Sequence, residues 1–198
     1  MMIQKKKIGI LITIVILALV FFTKTGQKIV YQAGRKPGFC SGIAYLYYAN
    51  QSYENAKEFF ELDAKRGVYK AQSYLGHLYH DGLGTPQDYT QAKYWYEKAA
   101  AQGHTNAMLW LGVMYEEGHG VASDARQAIQ YYKQAADYGE VLGLTYIGIM
   151  YQDGKVVEKD YIQAAKYYQQ ACNAGETRKA CVYLEDIKKK IAKTNAQN

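Results

Sequence analysis

The chain repeats itself every 36 residues, and this constrains its fold more than any other feature. Gly103, Gly139 and Gly175 are 36 apart, and one further step back lands on Gly67. Ala56, Ala92, Ala128 and Ala164 keep the spacing, as do the aromatic pairs Phe59-Phe60, Trp95-Tyr96, Tyr131-Tyr132 and Tyr167-Tyr168. Asp88, Asp124 and Asp160 recur too, with Ser52 in the earlier register. A fixed period of this size marks stacked supersecondary units, none of which can bury its apolar face alone. The apolar share of 49% is enough for such a shared core and excludes disorder as the main state.

The unit follows from spacing. Ala71, Leu75 and Tyr79, then Ala107, Leu111 and Tyr115, then Gly143, Ile147 and Tyr151 stand at i, i+4 and i+8, one face of a first helix, A. Gly76, Gly112 and Gly148 interrupt helix A at about 1 kcal/mol each relative to alanine, a recurring cost that suggests a second helix backbone crossing there. Gly82, Gly118 and Gly154 suit the left-handed residue that ends a helix. Asp88, Asp124 and Asp160, each three residues before Gln91, Gln127 or Gln163, open a second helix, B, with a capping-box pattern. Ser52 is expected to cap the first helix B. Most of the 21 tyrosines are expected between helices, with hydroxyls at the edge.

The strings AQSYLGHLYHDGLGTPQDYTQAKYWYEKAAAQG and AMLWLGVMYEEGHGVASDARQAIQYYKQAADYG closely resemble the Sel-one-like repeat (SLR), a relative of the tetratricopeptide repeat. GLTYIGIMYQDGKVVEKDYIQAAKYYQQACNAG is a third copy that departs at Gly143. The resemblance implies an all-α fold, a right-handed solenoid of stacked antiparallel helix pairs over residues 39–193. Its parts are a degenerate unit at 39–70 whose helix A is not assignable, repeats at 71–106, 107–142 and 143–178, and a capping helix at 176–193.

Ahead of the array, Ile8 to Phe22 is free of charge. A helix of that length rises about 22 Å, and lysines at both ends extend its reach towards the roughly 30 Å hydrocarbon core. The run is apolar on every side, unlike a core helix. Phe21 to Thr25 supply no small-residue pair for cleavage, so residues 1–23 read as an uncleaved single-span anchor, with a cleaved signal as the alternative. Lys5, Lys6 and Lys7 favour a cytoplasmic amino terminus, although Lys24, Lys28, Arg35 and Lys36 lie on the other flank. The expected location is the inner membrane, single-pass, with the body in the periplasm behind a tether at 24–38; the alternative is a secreted or periplasmic body.

Charge excludes a polynucleotide partner. The net +6 comes from Lys5–Lys7 and from Lys188, Lys189, Lys190 and Lys193, which leave residues 24–187 with 17 basic and 18 acidic side chains. Such a balanced body has no footprint for a phosphate backbone. Chemistry is equally thin. His77 and His80 stand three apart beside Asp81, but no third metal ligand recurs nearby, and a polar solvent face is the expected reading. His119 and His104 read as incidental. Phosphate-cradling glycines, a nucleophile elbow and paired zinc cysteines are missing, so no cofactor, metal or small-molecule substrate is expected.

Three cysteines remain. With an extracytoplasmic body, Cys172 and Cys181 would staple the C-terminal cap, worth about 2.5 kcal/mol on the loop-entropy argument, with Cys40 unpaired; three buried thiols are the alternative. Some secreted SLR proteins carry cysteines joining neighbouring helices at similar spacing. By analogy with tetratricopeptide arrays, recognition would fall to the helix A residues the core does not use: Ser73, His77 and His80; Leu109, Val113 and Glu116; Thr145, Ile149 and Gln152. Leu109, Val113 and Ile149 would form a solvent-facing aliphatic row unless neighbouring units cover them.

The resemblance thus implies a non-catalytic module that binds another protein through a groove. Bacterial SLR proteins include periplasmic immunity proteins that neutralise secreted toxins, and envelope scaffolds. Of these, immunity is the expectation, because an inhibitor needs little beyond a display surface. Some cysteine-rich relatives are described as weak β-lactamases, but this chain has few cysteines and no serine-lysine motif.

Overall fold

The structure, a computed structural model, describes residues 38–175 and 178–195. Among the described residues every regular element is a helix: α1 Phe39–Ala49, α2 Tyr53–Lys65, α3 Tyr69–Asp81, α4 Tyr89–Ala100, α5 Thr105–Glu117, α6 Ala125–Asp137, α7 Leu142–Asp153, α8 Tyr161–Asn173 and α9 Arg178–Asn195. Each packs chiefly on the helices before and after it, so the core runs along the stack as four successive apolar clusters. The anchor expected at 1–23 and all but the last residue of the tether lie outside the described residues. Among the described residues no helix is long and apolar enough to cross a membrane.

Helix A of the first unit is α1. It escapes the sequence pattern because its loop to α2 is four residues shorter, which shifts the register. The same tie marks the equivalence: the amide of Ser52 donates to the Tyr47 carbonyl at 2.9 Å, as those of Asp88, Asp124 and Asp160 donate to Tyr79, Tyr115 and Tyr151 at 2.9, 2.8 and 2.9 Å. This tie corrects the capping-box reading. The carboxylate half forms: Asp88 accepts from the Gln91 amide at 3.0 Å, while Asp124 and Asp160 each accept two first-turn amides. The reciprocal glutamine bond is unnecessary, because helix A has already taken the aspartate amide. Ser52 likewise makes no side-chain cap.

The mid-helix glycines also need correction. What they admit is a ring from helix B, not a second backbone. A Cβ added at Gly76 would lie 2.7 Å from Tyr96 Cδ1, one at Gly148 would lie 2.5 Å from Tyr168 Cε1, and one at Gly112 would strike Tyr132. The three tyrosines are fully buried. Each then stacks on an aromatic of the next unit: Tyr96 on Trp110 at 6.2 Å and Tyr132 on Tyr146 at 5.1 Å, while Tyr168 meets Tyr183 of α9 at 5.4 Å. The first unit uses Ala44 and Phe60, with Phe60 stacked on Tyr74 at 5.1 Å. One ring per unit therefore joins three helices.

Both ends of the stack have their own closures. The buried Asp63 of α2 accepts from the Ser41 amide at 2.6 Å and the Ser41 hydroxyl at 2.8 Å, satisfying the start of α1, and Arg66 approaches it at 3.4 Å. At the other end Cys172 of α8 is disulfide-bonded to Cys181 of α9 across a Cα separation of 5.0 Å. Cys40 is a buried free thiol. Gly143, where the third copy departs from alanine, packs its Cα against the Tyr132 carbonyl, which leaves no room for a side chain.

Candidate functional site

Four of the nine helix A residues expected to line the groove are buried: Ser73, His80, Leu109 and Thr145. Leu109 belongs to the core cluster of α6 and α7, and Val113 packs partly against it. Ile149 packs against the cluster formed with α9. The expected aliphatic row is thus largely covered by neighbouring units, because in this stack each helix A is flanked by helices on both sides. Two more of the set are engaged by the ring joints. Glu116 accepts from the Tyr132 hydroxyl at 2.8 Å, and Gln152 sits 3.3 Å from that of Tyr168. Burial raises the Glu116 pKa above the usual carboxylate range, against the Tyr132 hydrogen bond, which lowers it.

What helix A does show to solvent is a different stripe. Tyr74, His77 and Asp81 are partly exposed, as are Trp110, Val113 and Glu117, and Tyr146, Ile149 and Asp153. These are i, i+3 and i+7 positions, one face of each helix, repeated at the 36-residue period. The outer column is acidic, and α3, α5 and α7 all end on it, at Asp81, Glu117 and Asp153. The inner column is aromatic. Its signal was present in the sequence as Tyr74, Trp110 and Tyr146, each adjacent to a residue already identified as periodic.

Three histidines converge on this face, which corrects the reading of His77 and His80 as a plain solvent face and of His119 as incidental. His80 is only 8% exposed. Its ring lies 5.0 Å from Trp110 and 5.5 Å from His119, which stacks on Tyr89 at 4.7 Å. Asp81 meets His80 Nδ1 at 2.5 Å and His77 Nε2 at 3.5 Å, and Glu117 meets His119 Nδ1 at 3.3 Å. Desolvation lowers the His77 pKa, despite the pull of Asp81. Among the described residues no group of three or more histidine, cysteine, aspartate and glutamate side chains is placed to hold a metal.

At the joint where Glu116 and Gln152 have their counterpart in His80, the bond is not made. His80 Nε2 and the Tyr96 hydroxyl are both buried without a hydrogen-bond partner. The fourth histidine is structural: His104 is the N-cap of α5, its Nδ1 accepting from the Ala107 amide at 3.2 Å. Burial, then Lys70, lowers its pKa.

The sequence profile of the Sel1 repeat matches residues 70–104, 105–139 and 141–176. A search of curated proteins gave no match. Among solved structures, a Sel1 repeat protein from Oxalobacter formigenes is 31% identical with a TM-score of 0.68, over 84% of this chain and 67% of that one. The uropathogenic Escherichia coli protein c5321, a protective antigen with an SLR fold, is 32% identical with a TM-score of 0.65, over 75% of this chain; the match spans only 33% of that protein. A Sel1 repeat protein from Klebsiella pneumoniae subsp. pneumoniae shares the fold at 19% identity and a TM-score of 0.55, over 83% and 86% of the two chains.

Proposed function

Because this chain belongs to the Sel1 repeat family, we propose that it is a non-catalytic protein-interaction module that recognises its partner with the helix A face and is held at the inner membrane with that face in the periplasm. One observation carries the reading: the repeated alanines and ring-joint tyrosines, Ala92, Ala128 and Ala164 with Tyr96, Tyr132 and Tyr168, are buried, whereas partly exposed helix A positions differ from unit to unit, as with His77, Val113 and Ile149. Invariant positions hold the stack; variable ones can hold a specific partner. The disulfide between Cys172 and Cys181 supports an oxidising compartment, since such bonds persist outside the cytoplasm.

Within this class, neutralising a toxin delivered to the periplasm fits a short array that offers a surface and little else; an adaptor in envelope assembly is the second reading. Photo-crosslinking residues placed at 77, 113 and 149 in cells test the module directly. Crosslinks to one protein at two or more of these positions are expected, and none at any position would refute the reading. Growth rescue against the captured protein separates inhibitor from adaptor, and rescue that persists without residues 1–25 would count against periplasmic display.

A further inference from the structure

We propose that the partner presents a basic segment, whose arginine or lysine side chains lie along the aromatic column Tyr74, Trp110 and Tyr146 and pair with the acidic column Asp81, Glu117 and Asp153. This deepens the interaction reading above and rests on it.

Two observations converge. The first is charge placement. Each acid is the last residue of its helix, where the macrodipole is negative and a carboxylate is unfavourable. Helix stability does not account for an acid there in all three full repeats, whereas a cationic ligand does. Asp81 and Glu117 meet histidine rings, those of His77, His80 and His119. The second is the aromatic column, seven residues before each acid on the same faces. Flat rings and carboxylates on one face favour a guanidinium or ammonium group.

The test uses the full-length chain in detergent micelles and three short labelled peptides: arginine alternating with alanine, glutamate with alanine, and glutamine with alanine. Fluorescence anisotropy is expected to show binding of the arginine peptide alone, weakening as salt rises. The combined substitution Asp81→Asn, Glu117→Gln and Asp153→Asn should weaken it about tenfold. Neutralising Glu54, Glu58 and Glu158, exposed acids off this face, should leave it unchanged. In a Trp95→Phe background the peptide should also quench Trp110, a readout that non-specific charge attraction would not move. Equal binding of the acidic or neutral peptide, undiminished binding to the triple variant, or an unquenched Trp110 would overturn the proposal. So would crosslinking at residues 77, 113 and 149 to a protein that docks through an acidic or apolar segment, an outcome that leaves the interaction reading intact; absence of any crosslink removes that reading itself.

Discussion

Single side chains at the ring joints and caps set much of the pH response. Burial raises the pKa of Glu116, so its ionisation is unfavourable in the fold and stability falls as pH rises from its unfolded value through the folded one. Gln152 performs the same task in the next unit without a charge. Glu116→Gln is therefore expected to stabilise the protein at pH 7 by a few tenths to about 1 kcal/mol, with the gain shrinking towards pH 4 in urea titrations. His104 behaves in the opposite sense. Its lowered pKa means that the cap is complete above about pH 6.5 and lost as pH falls through the folded pKa. His104→Asn keeps an N-cap acceptor that does not titrate in this range, so the wild-type loss on acidification should shrink by about 1 kcal/mol in the variant. Unchanged pH profiles in either variant would refute the assignment.

Helix pairs owe their geometry to the contact between a small residue and a ring. Gly112→Ala puts a methyl group into the buried Tyr132 ring, which is held on its other side by Tyr146 and cannot retreat. A loss of about 1–3 kcal/mol by chemical denaturation is expected, against the gain of about 1 kcal/mol that helix propensity alone would give. At this scale the sequence was most legible: helix boundaries, Asp N-caps and left-handed glycines follow from spacing and local sterics. It was silent where partners are distant in sequence or register is broken. No periodic position singles out Asp63, and only the fold brings it to Ser41, which is 22 residues earlier. The shortened first loop hid α1, although its Ile43, Ala44 and Tyr47 repeat the pattern of Leu75, Gly76 and Tyr79. Four of the nine groove residues, Ser73, His80, Leu109 and Thr145, are buried for a related reason. Periodicity says which residues share a face, but how much of that face the adjoining helices cover depends on side-chain reach across the stack, and Leu109 and Thr145 proved to be covered.

For the molecule as a whole, contacts dominated by successive helices make stability largely local along the array. Reducing the Cys172–Cys181 bond should cost about 2.5 kcal/mol, felt in α8 and α9 and not in α1 to α4. Hydrogen exchange with and without reductant checks this, and uniform loss of protection would contradict it. The same one-dimensional build bears on recognition. Each buried tyrosine acts as a hinge pin whose thickness sets the tilt between one helix pair and the next. A small error at a single pin is carried as a lever to every unit beyond it, so the spacing of the helix A faces is decided by side chains buried in the joints.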